Sequence, residues 1–276
     1  GDWAFIQYHD RGRMAVIHGI LPRRTFLRRK TAGRDVDLQM IAANIDTAFI
    51  VQACHHDFNL HRLDRYLVMV ADGGIEPVLV LTKTDLVTPE ELEKTIAAIR
   101  QAGITSEILP LSNATHAGMD GFRRFLVPGQ TYCLLGSSGV GKTTLINRLL
   151  GREAFVTRAT SHTGEGTHVT SRRQLIVLEQ GALLVDTPGM RELGILGAGA
   201  ALDDSFGEIR GLSRACRFAD CRHEGEPGCA VRAAIERGEL GADRYESYAK
   251  LKKEAAHHEM SLVEKRRKDK AFGKFL

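Results

Sequence analysis

Residues 136–143 read Gly-Ser-Ser-Gly-Val-Gly-Lys-Thr, the spacing G-x-x-x-x-G-K-[ST] of a phosphate-binding loop. The glycines let the backbone curl so that successive N–H groups face phosphate oxygens, and the N-terminus of a following helix adds partial positive charge. Lys142 is predicted to neutralise the β- and γ-phosphates, and the Thr143 hydroxyl to hold Mg²⁺. The predicted nucleotide contacts here are Gly136, Ser137, Ser138, Gly139, Val140, Gly141, Lys142, Thr143 and Thr144.

A second polar motif, Thr-Lys-Thr-Asp at residues 82–85, directly follows a continuous apolar run and so lies at the end of a predicted strand. The Asp85 carboxylate can accept hydrogen bonds from the ring N–H and the exocyclic amine of guanine, whereas adenine would leave it unpaired. The stem of Lys83 can lie across the base. The motif therefore predicts GTP and GDP as ligands, with Thr82 and the loop residue Ser112 as further contacts.

Two further stretches suit the γ-phosphate end of a nucleotide. Asp186 ends an apolar run and is predicted to hold Mg²⁺ through water, while the Gly189 N–H senses the γ-phosphate. Residues 161–171 are rich in Gly, Thr and Ser and are predicted to form a switch loop. In this loop Thr170 or Thr167 would supply a second hydroxyl ligand for Mg²⁺.

The hydrolytic step has two candidate contributors in these stretches. His168 lies in the predicted switch loop and could orient the attacking water, although an exposed loop histidine is more often inert. Met190 follows Gly189 where many GTPases carry a water-orienting glutamine, and a thioether cannot orient water. Intrinsic hydrolysis is therefore predicted to be slow, with the missing group supplied by His168 or by a partner.

A metal-ligand cluster lies further along the chain. Cys216, Cys221, His223 and Cys229 offer three thiolates and one imidazole, a donor set that suits tetrahedral zinc. Four protein ligands leave no open position for catalysis, so one structural Zn²⁺ is predicted. The ion would replace the apolar core that so short a segment lacks. Reduced thiols without metal are the alternative.

The basic residues are concentrated towards the two ends of the chain, which has a net charge of +4. Residues 20–34 hold six Lys or Arg and no acid, and residues 261–276 hold six against two acids. This placement favours a polyanionic partner, an RNA, although two solvated faces would give the same pattern. No apolar run has the ~18 residues that span a membrane.

The cysteine count bears on the compartment. There are five cysteines and no secretory signal at the first residues, which favours a reducing compartment, the cytoplasm. Cys54 and Cys133 lie in apolar runs and are predicted to be buried free thiols.

Apolar runs and helical patterns alternate from Asp46 to Asp186, which predicts an α/β fold with a doubly wound, mainly parallel sheet. Before it, residues 2–8 and 13–20 read as two strands. After it, residues 205–240 are dense in Cys, His, Arg and Gly, and residues 243–276 favour a basic helix. The predicted domains are a partial OB-like β segment at 1–34, a GTPase domain at 35–204, and a helical zinc-binding domain at 205–276.

The order of the motifs is unusual, because the base-reading motif precedes the phosphate loop, whereas ordinary GTPases run the other way. This order indicates a circularly permuted P-loop GTPase domain, which a chain with neighbouring termini can tolerate. With Leu21-Pro22-Arg23-Arg24 and the cluster at Cys216–Cys229, these motifs resemble the RsgA (YjeQ) family of bacterial GTPases. The stretch 164–170 departs from that family's usual switch at Val169, which leaves Thr170 as the matching hydroxyl.

The resemblance implies an N-terminal OB-fold barrel, a permuted GTPase domain and a C-terminal zinc domain. It also implies a GTPase that acts in late maturation of the small ribosomal subunit, binds its rRNA and is stimulated by that subunit. A monomer that binds neither DNA nor membrane is expected. Two alternatives stand beside this hypothesis: an RNA-binding assembly factor in which nucleotide only gates docking and release, and a P-loop ATPase or kinase, against which Asp85 speaks.

Overall fold

The computed structural model of the chain describes residues 1–30, 38–55, 58–155, 174–186 and 199–259. Within these ranges the strands are β1 (Ala4–His9), β2 (Met14–Ile20), β3 (Phe26–Lys30), β4 (Leu38–Ala43), β5 (Thr47–Ala53), β6 (Glu76–Thr82), β7 (Glu107–Pro110), β8 (Thr131–Leu135), β9 (Gln174–Val177) and β10 (Leu183–Asp186). The helices are α1 (Leu60–Asp72), α2 (Pro89–Gln101), α3 (Met119–Arg124), α4 (Lys142–Leu150), α5 (Gly199–Ser205), α6 (Gly207–Ser213), α7 (Ala230–Glu236) and α8 (Ala242–Glu259).

Among the described residues, the central sheet has six strands in the order β7-β6-β5-β8-β10-β9. Five of these described strands run parallel, and β9 pairs antiparallel with β10. The predicted mainly parallel α/β sheet is therefore confirmed. Because parallel strands end at the same edge, the loops that follow β6, β8 and β10 lie along one side of the sheet.

Helices cover both faces of this sheet, as the alternation along β5 shows. Ala48 and Ile50 point into a core with α1 and α2, whereas Phe49 and Val51 point into a core with α3 and α4. Each fully buried side chain of this size stabilises the fold by ~1.5–3 kcal/mol, so the two cores fix the sheet from both sides.

The helix starts follow local chemistry. At α2 the Thr88 hydroxyl accepts from the Glu91 N–H while the Glu91 carboxylate accepts from the Thr88 N–H, a complete capping box. At α1 the side chain of Asn59 accepts from the Arg62 N–H. These caps set where each helix leaves its preceding loop.

In the described part of the chain, two antiparallel hairpins precede the sheet. β1 and β2 pair as predicted, and their apolar side chains, including Tyr8, are mostly exposed, as is the preceding Trp3. β3 and β4 also pair, an element that the sequence did not reveal. This second hairpin buries Leu27 completely and runs across the predicted domain boundary after residue 34.

The helices α5–α8 form a third apolar core, to which α1 contributes Val68. Beside it lies a buried polar cluster. Arg244 of α8 donates to Asp64 of α1 at 2.5 Å, to Glu208 at 2.7 Å and to the Ser205 carbonyl at 2.7 Å. Ser247 donates to the other Asp64 oxygen at 2.6 Å. The C-terminal helices are thus joined to the sheet domain through α1 by both apolar and charged contacts.

Replacing Arg244 by Met is expected to lower the free energy of unfolding by ~3–5 kcal/mol, because Asp64 would stay buried without its cation. Arg244 and Asp64 have only 6% and 3% of their side chains exposed. Urea denaturation measures the loss. Arg210→Met is the matched control, since the Arg210–Asp204 pair is exposed and should contribute no more than ~0.5 kcal/mol. Equal unfolding free energies for the two variants would contradict this role.

None of the described helices is both long and apolar enough to cross a bilayer.

Candidate nucleotide and metal sites

Three predicted site segments lie along the carboxyl edge of the sheet. Thr82 ends β6 and residues 83–85 follow it, residues 136–141 follow β8, and Asp186 ends β10. β5 lies between β6 and β8, so the first two segments are separated by one strand, about 10 Å across two strand spacings. A nucleoside phosphate can extend over such a distance, with its base at one loop and its phosphates at the other.

The base loop is held in shape by Ser112. Its hydroxyl donates to Oδ1 of Asp85 at 2.5 Å and accepts from the Ala114 N–H at 3.1 Å. Ser112 is completely buried, and Lys83 has the left-handed backbone φ of 59° that turns the chain out of β6. The structure thus brings together Asp85, Ser112 and Lys83, which the sequence predicted as guanine contacts.

The phosphate loop is built close against β5. Gly136 has φ of 155°, and a Cβ there would lie 2.3 Å from the Val51 carbonyl oxygen, so only glycine fits. Lys142 Nζ donates to the carbonyls of Gly136 at 2.8 Å and Ser137 at 2.6 Å. The ammonium group therefore lies over the loop, where its charge would meet a bound phosphate.

The other loop residues agree with this arrangement. Gly139 has φ of 80°, and Gly141, with φ of 94°, is the residue from which α4 starts. Thr143 and Thr144 lie in the first turn of α4 and are half-buried, as is Ser138. This is the end of a helix that attracts anions.

The two loops are tied to each other through Thr82. Its hydroxyl contacts the Val140 carbonyl at 2.6 Å and the Gln52 carbonyl at 3.3 Å, and the side chain is completely buried. The Asn113 amide Nδ2 donates to the Gly141 carbonyl at 3.1 Å. The sequence predicted Thr82 as a nucleotide contact and residues 111–113 as a loop that could close over the base with backbone amides, but it did not predict the contact between the Asn113 side chain and Gly141, 28 positions away.

Asp186 fits a role in holding a cation. It is only 5% exposed, and its Oδ2 is buried without a hydrogen-bond partner among the described residues. Burial raises the pKa of this carboxyl, and the charge of Lys142 counteracts the rise. A buried, unpaired carboxylate oxygen costs stability unless a cation or a bound water satisfies it, so the residues fit Mg²⁺ at this position. Thr167, His168, Thr170 and Gly189 lie outside the described residues.

The predicted zinc ligands come together. One ligand atom from each of Cys216, Cys221, His223 and Cys229 can be chosen so that all four lie within 4.8 Å of one another. His223 Nδ1 lies 3.4 Å from the Cys229 sulfur and 3.6 Å from the Cys216 sulfur. These separations suit atoms bound at ~2.0–2.3 Å to one tetrahedral ion.

The surroundings of the cluster favour the metal-binding forms of His223 and Cys216, whereas burial and the neighbouring thiols raise the pKa of Cys221 to about 11. Burial lowers the pKa of His223, which keeps the imidazole neutral. At Cys216 burial raises the pKa, but the N–H groups of Ala230 and Val231 help to bring it below its usual value. The Tyr245 hydroxyl of α8 donates to the His223 carbonyl at 2.7 Å, so α8 positions the ligand loop.

The profile of the RsgA GTPase family matches residues 20–196. A "Small ribosomal subunit biogenesis GTPase RsgA" from Opitutus terrae is 44% identical over 243 residues, which are 87% of this chain and 66% of that protein. The chain thus spans about two thirds of that relative's length.

Two solved structures share the fold. The crystal structure of YjeQ from Thermotoga maritima has a TM-score of 0.65 and 26% identity, covering 91% of this chain and 82% of its own. The structure of YloQ, "a circularly permuted GTPase", has a TM-score of 0.64 and 27% identity, covering 95% and 82%. The unusual motif order is therefore that of a circularly permuted GTPase, and the chain belongs to the RsgA GTPase family.

Proposed function

We propose that the protein binds GTP with Mg²⁺ across the carboxyl edge of its sheet, hydrolyses it to GDP, and acts in late maturation of the small ribosomal subunit. The observation that carries the proposal is the Thr82 contact, which fixes the base loop with Asp85 to the phosphate loop with Lys142. Two loops built for opposite ends of a guanosine phosphate are thereby held as one site.

Each residue has a role in this proposal. Asp85 accepts from guanine, with Ser112 orienting the carboxylate and Lys83 covering the base. Lys142 and the N–H groups from Gly136 to Thr144 hold the phosphates. Thr143, Asp186 and Thr170 would hold Mg²⁺, which when bound neutralises charge on the β- and γ-phosphates. His168 is the proposed residue that orients water, and Gly189 the one that responds to the γ-phosphate.

The C-terminal part, residues 205–276, is proposed to carry one structural Zn²⁺ on the four ligands described above. Its contacts with α1 hold the metal loop against the GTPase domain, proposed here as residues 35–204, and residues 1–34 are proposed as part of an OB-like barrel. The chain is proposed to act as a monomer in the cytoplasm, where its ribosomal substrate is assembled.

Ribosomal RNA is the proposed polyanionic partner of the two basic segments, 20–34 and 261–276. Ion pairs in the structure neutralise part of the positive charge of residues 20–34. Arg28 makes a two-pronged ion pair with Asp72 at 2.9 and 3.0 Å, and Arg23 pairs with Asp2 at 2.6 Å. Arg24 keeps 72% of its side chain exposed beside Asp46, so it is the better candidate for a phosphate contact.

Purified protein is expected to hydrolyse GTP slowly and to accelerate by at least about tenfold when purified small ribosomal subunits are added. The reason is that a missing water-orienting group can be supplied by a partner, as it is for other GTPases. Phosphate release from GTP, measured with and without subunits, checks this result. Large ribosomal subunits at the same concentration are the control for a general polyanion effect. An unchanged rate with small subunits would remove the ribosomal part of the proposal.

A further inference from the structure

Asn113 reaches from the base loop to the phosphate loop. Its Nδ2 donates to the carbonyl oxygen of Gly141 at 3.1 Å. Gly141 is the N-cap of α4 and directly precedes Lys142. Asn113 therefore holds the backbone at the point where the phosphate loop becomes the helix whose N-terminus would face the phosphates.

The other end of this contact is equally well fixed. Asn113 follows Ser112, whose hydroxyl donates to Asp85, so the loop that carries the amide also carries the base-reading carboxylate. A Cβ on Gly141 would lie 2.8 Å from Asn113 Nδ2, so a larger residue at position 141 would displace the amide from this contact, and the φ of 94° at Gly141 also favours glycine.

We infer that Asn113 is a positioning residue that couples the base loop to the phosphate loop and so strengthens the hold on the β-phosphate. This inference rests on the proposed nucleotide function of the same site. Oδ1 of Asn113 is buried without a partner among the residues that the structure describes, so the amide is enclosed in the site and not solvated at its surface. When Asn113 is removed, the Gly141 carbonyl loses this hydrogen bond, and water does not supply an equivalent one.

Asn113→Ala is expected to weaken GDP binding by about tenfold, since one enclosed hydrogen bond and the loop geometry that it holds are lost. Binding of GMP should weaken by less than about twofold, because GMP lacks the β-phosphate that the loop grips. Competition against a fluorescent GDP analogue measures both affinities. Asn113→Asp keeps the shape but places an acceptor against the Gly141 carbonyl, and it should weaken GDP binding at least as much.

Thr115→Ala changes an exposed residue of the same loop and should bind both nucleotides like the original chain. Unchanged GDP affinity in Asn113→Ala and Asn113→Asp would overturn the inference, and so would an equal loss for GDP and GMP, which indicates a direct base contact. The proposed function is tested separately on the unmodified chain, which should bind GDP more tightly than ADP. If that preference is present and the Asn113 variants bind GDP normally, only the coupling role fails.

Discussion

Asp85→Asn is expected to lower GDP affinity by roughly 100-fold or more and to raise affinity for xanthosine diphosphate. Ser112 donates to Oδ1 of Asp85, so an asparagine would keep its carbonyl oxygen on Ser112 and turn its NH₂ group towards the base. That NH₂ group faces the guanine amine, donor against donor, whereas xanthine presents an acceptor at the same position. Competition binding with GDP and xanthosine diphosphate measures the exchange of preference.

Asp120→Asn is the matched control for this variant. It removes the same charge from a residue of α3 whose side chain is 93% exposed. Its ratio of GDP to xanthosine diphosphate affinity should stay that of the original chain. If Asp85→Asn leaves the ratio unchanged as well, the base lies elsewhere and the guanine assignment is wrong.

The second large effect is expected at the metal cluster. Cys229→Ser should abolish stoichiometric zinc, from one ion per chain to a small fraction, and lower the melting temperature by about 10 °C or more. Cys229 is buried, and its sulfur also accepts from the Arg232 N–H at the start of α7. Losing the ion therefore releases α7 and the third core that joins α5–α8 to α1. Elemental analysis and thermal unfolding followed by circular dichroism measure the two results.

Cys54→Ala provides the comparison, because Cys54 is a buried free thiol of the α1-side core, apart from the metal cluster. It should retain one zinc per chain even if its core packing is slightly weaker. Full zinc content in Cys229→Ser would show that the four residues do not form the site.

Local chemistry made much of the fold predictable. β8 ends at Leu135 and α4 begins at Lys142, on either side of residues 136–141, because a phosphate-loop motif fixes where the strand ends and where the helix begins. Thr88, Pro89 and Glu91 are the residue types of a capped helix start, and α2 begins at Pro89. Burial of the free thiols Cys54 and Cys133 is also confirmed.

Contacts between distant parts of the chain could not be predicted in this way. β3 and β4 were missed because the arginines at positions 28 and 29 hide the apolar alternation of β3. The same arginines looked like free cations, yet Arg28 is neutralised by Asp72, 44 positions away. Asp64 and Arg244 are 180 positions apart, and neither residue lies in a motif that indicates its partner. The individual nucleotide contacts stay predictions.

The strand order β7-β6-β5-β8-β10-β9 has a consequence for synthesis on the ribosome. Chain growth extends the sheet first on one side of β5, through β6 and β7, and afterwards on the other side, through β8. A nascent chain can therefore form the loops with Asp85 and Ser112, the proposed guanine contacts, before Lys142 has been translated. The proposed phosphate loop can form only after β8 has added to the free side of β5, so nucleotide capture would report that both sides of β5 are paired.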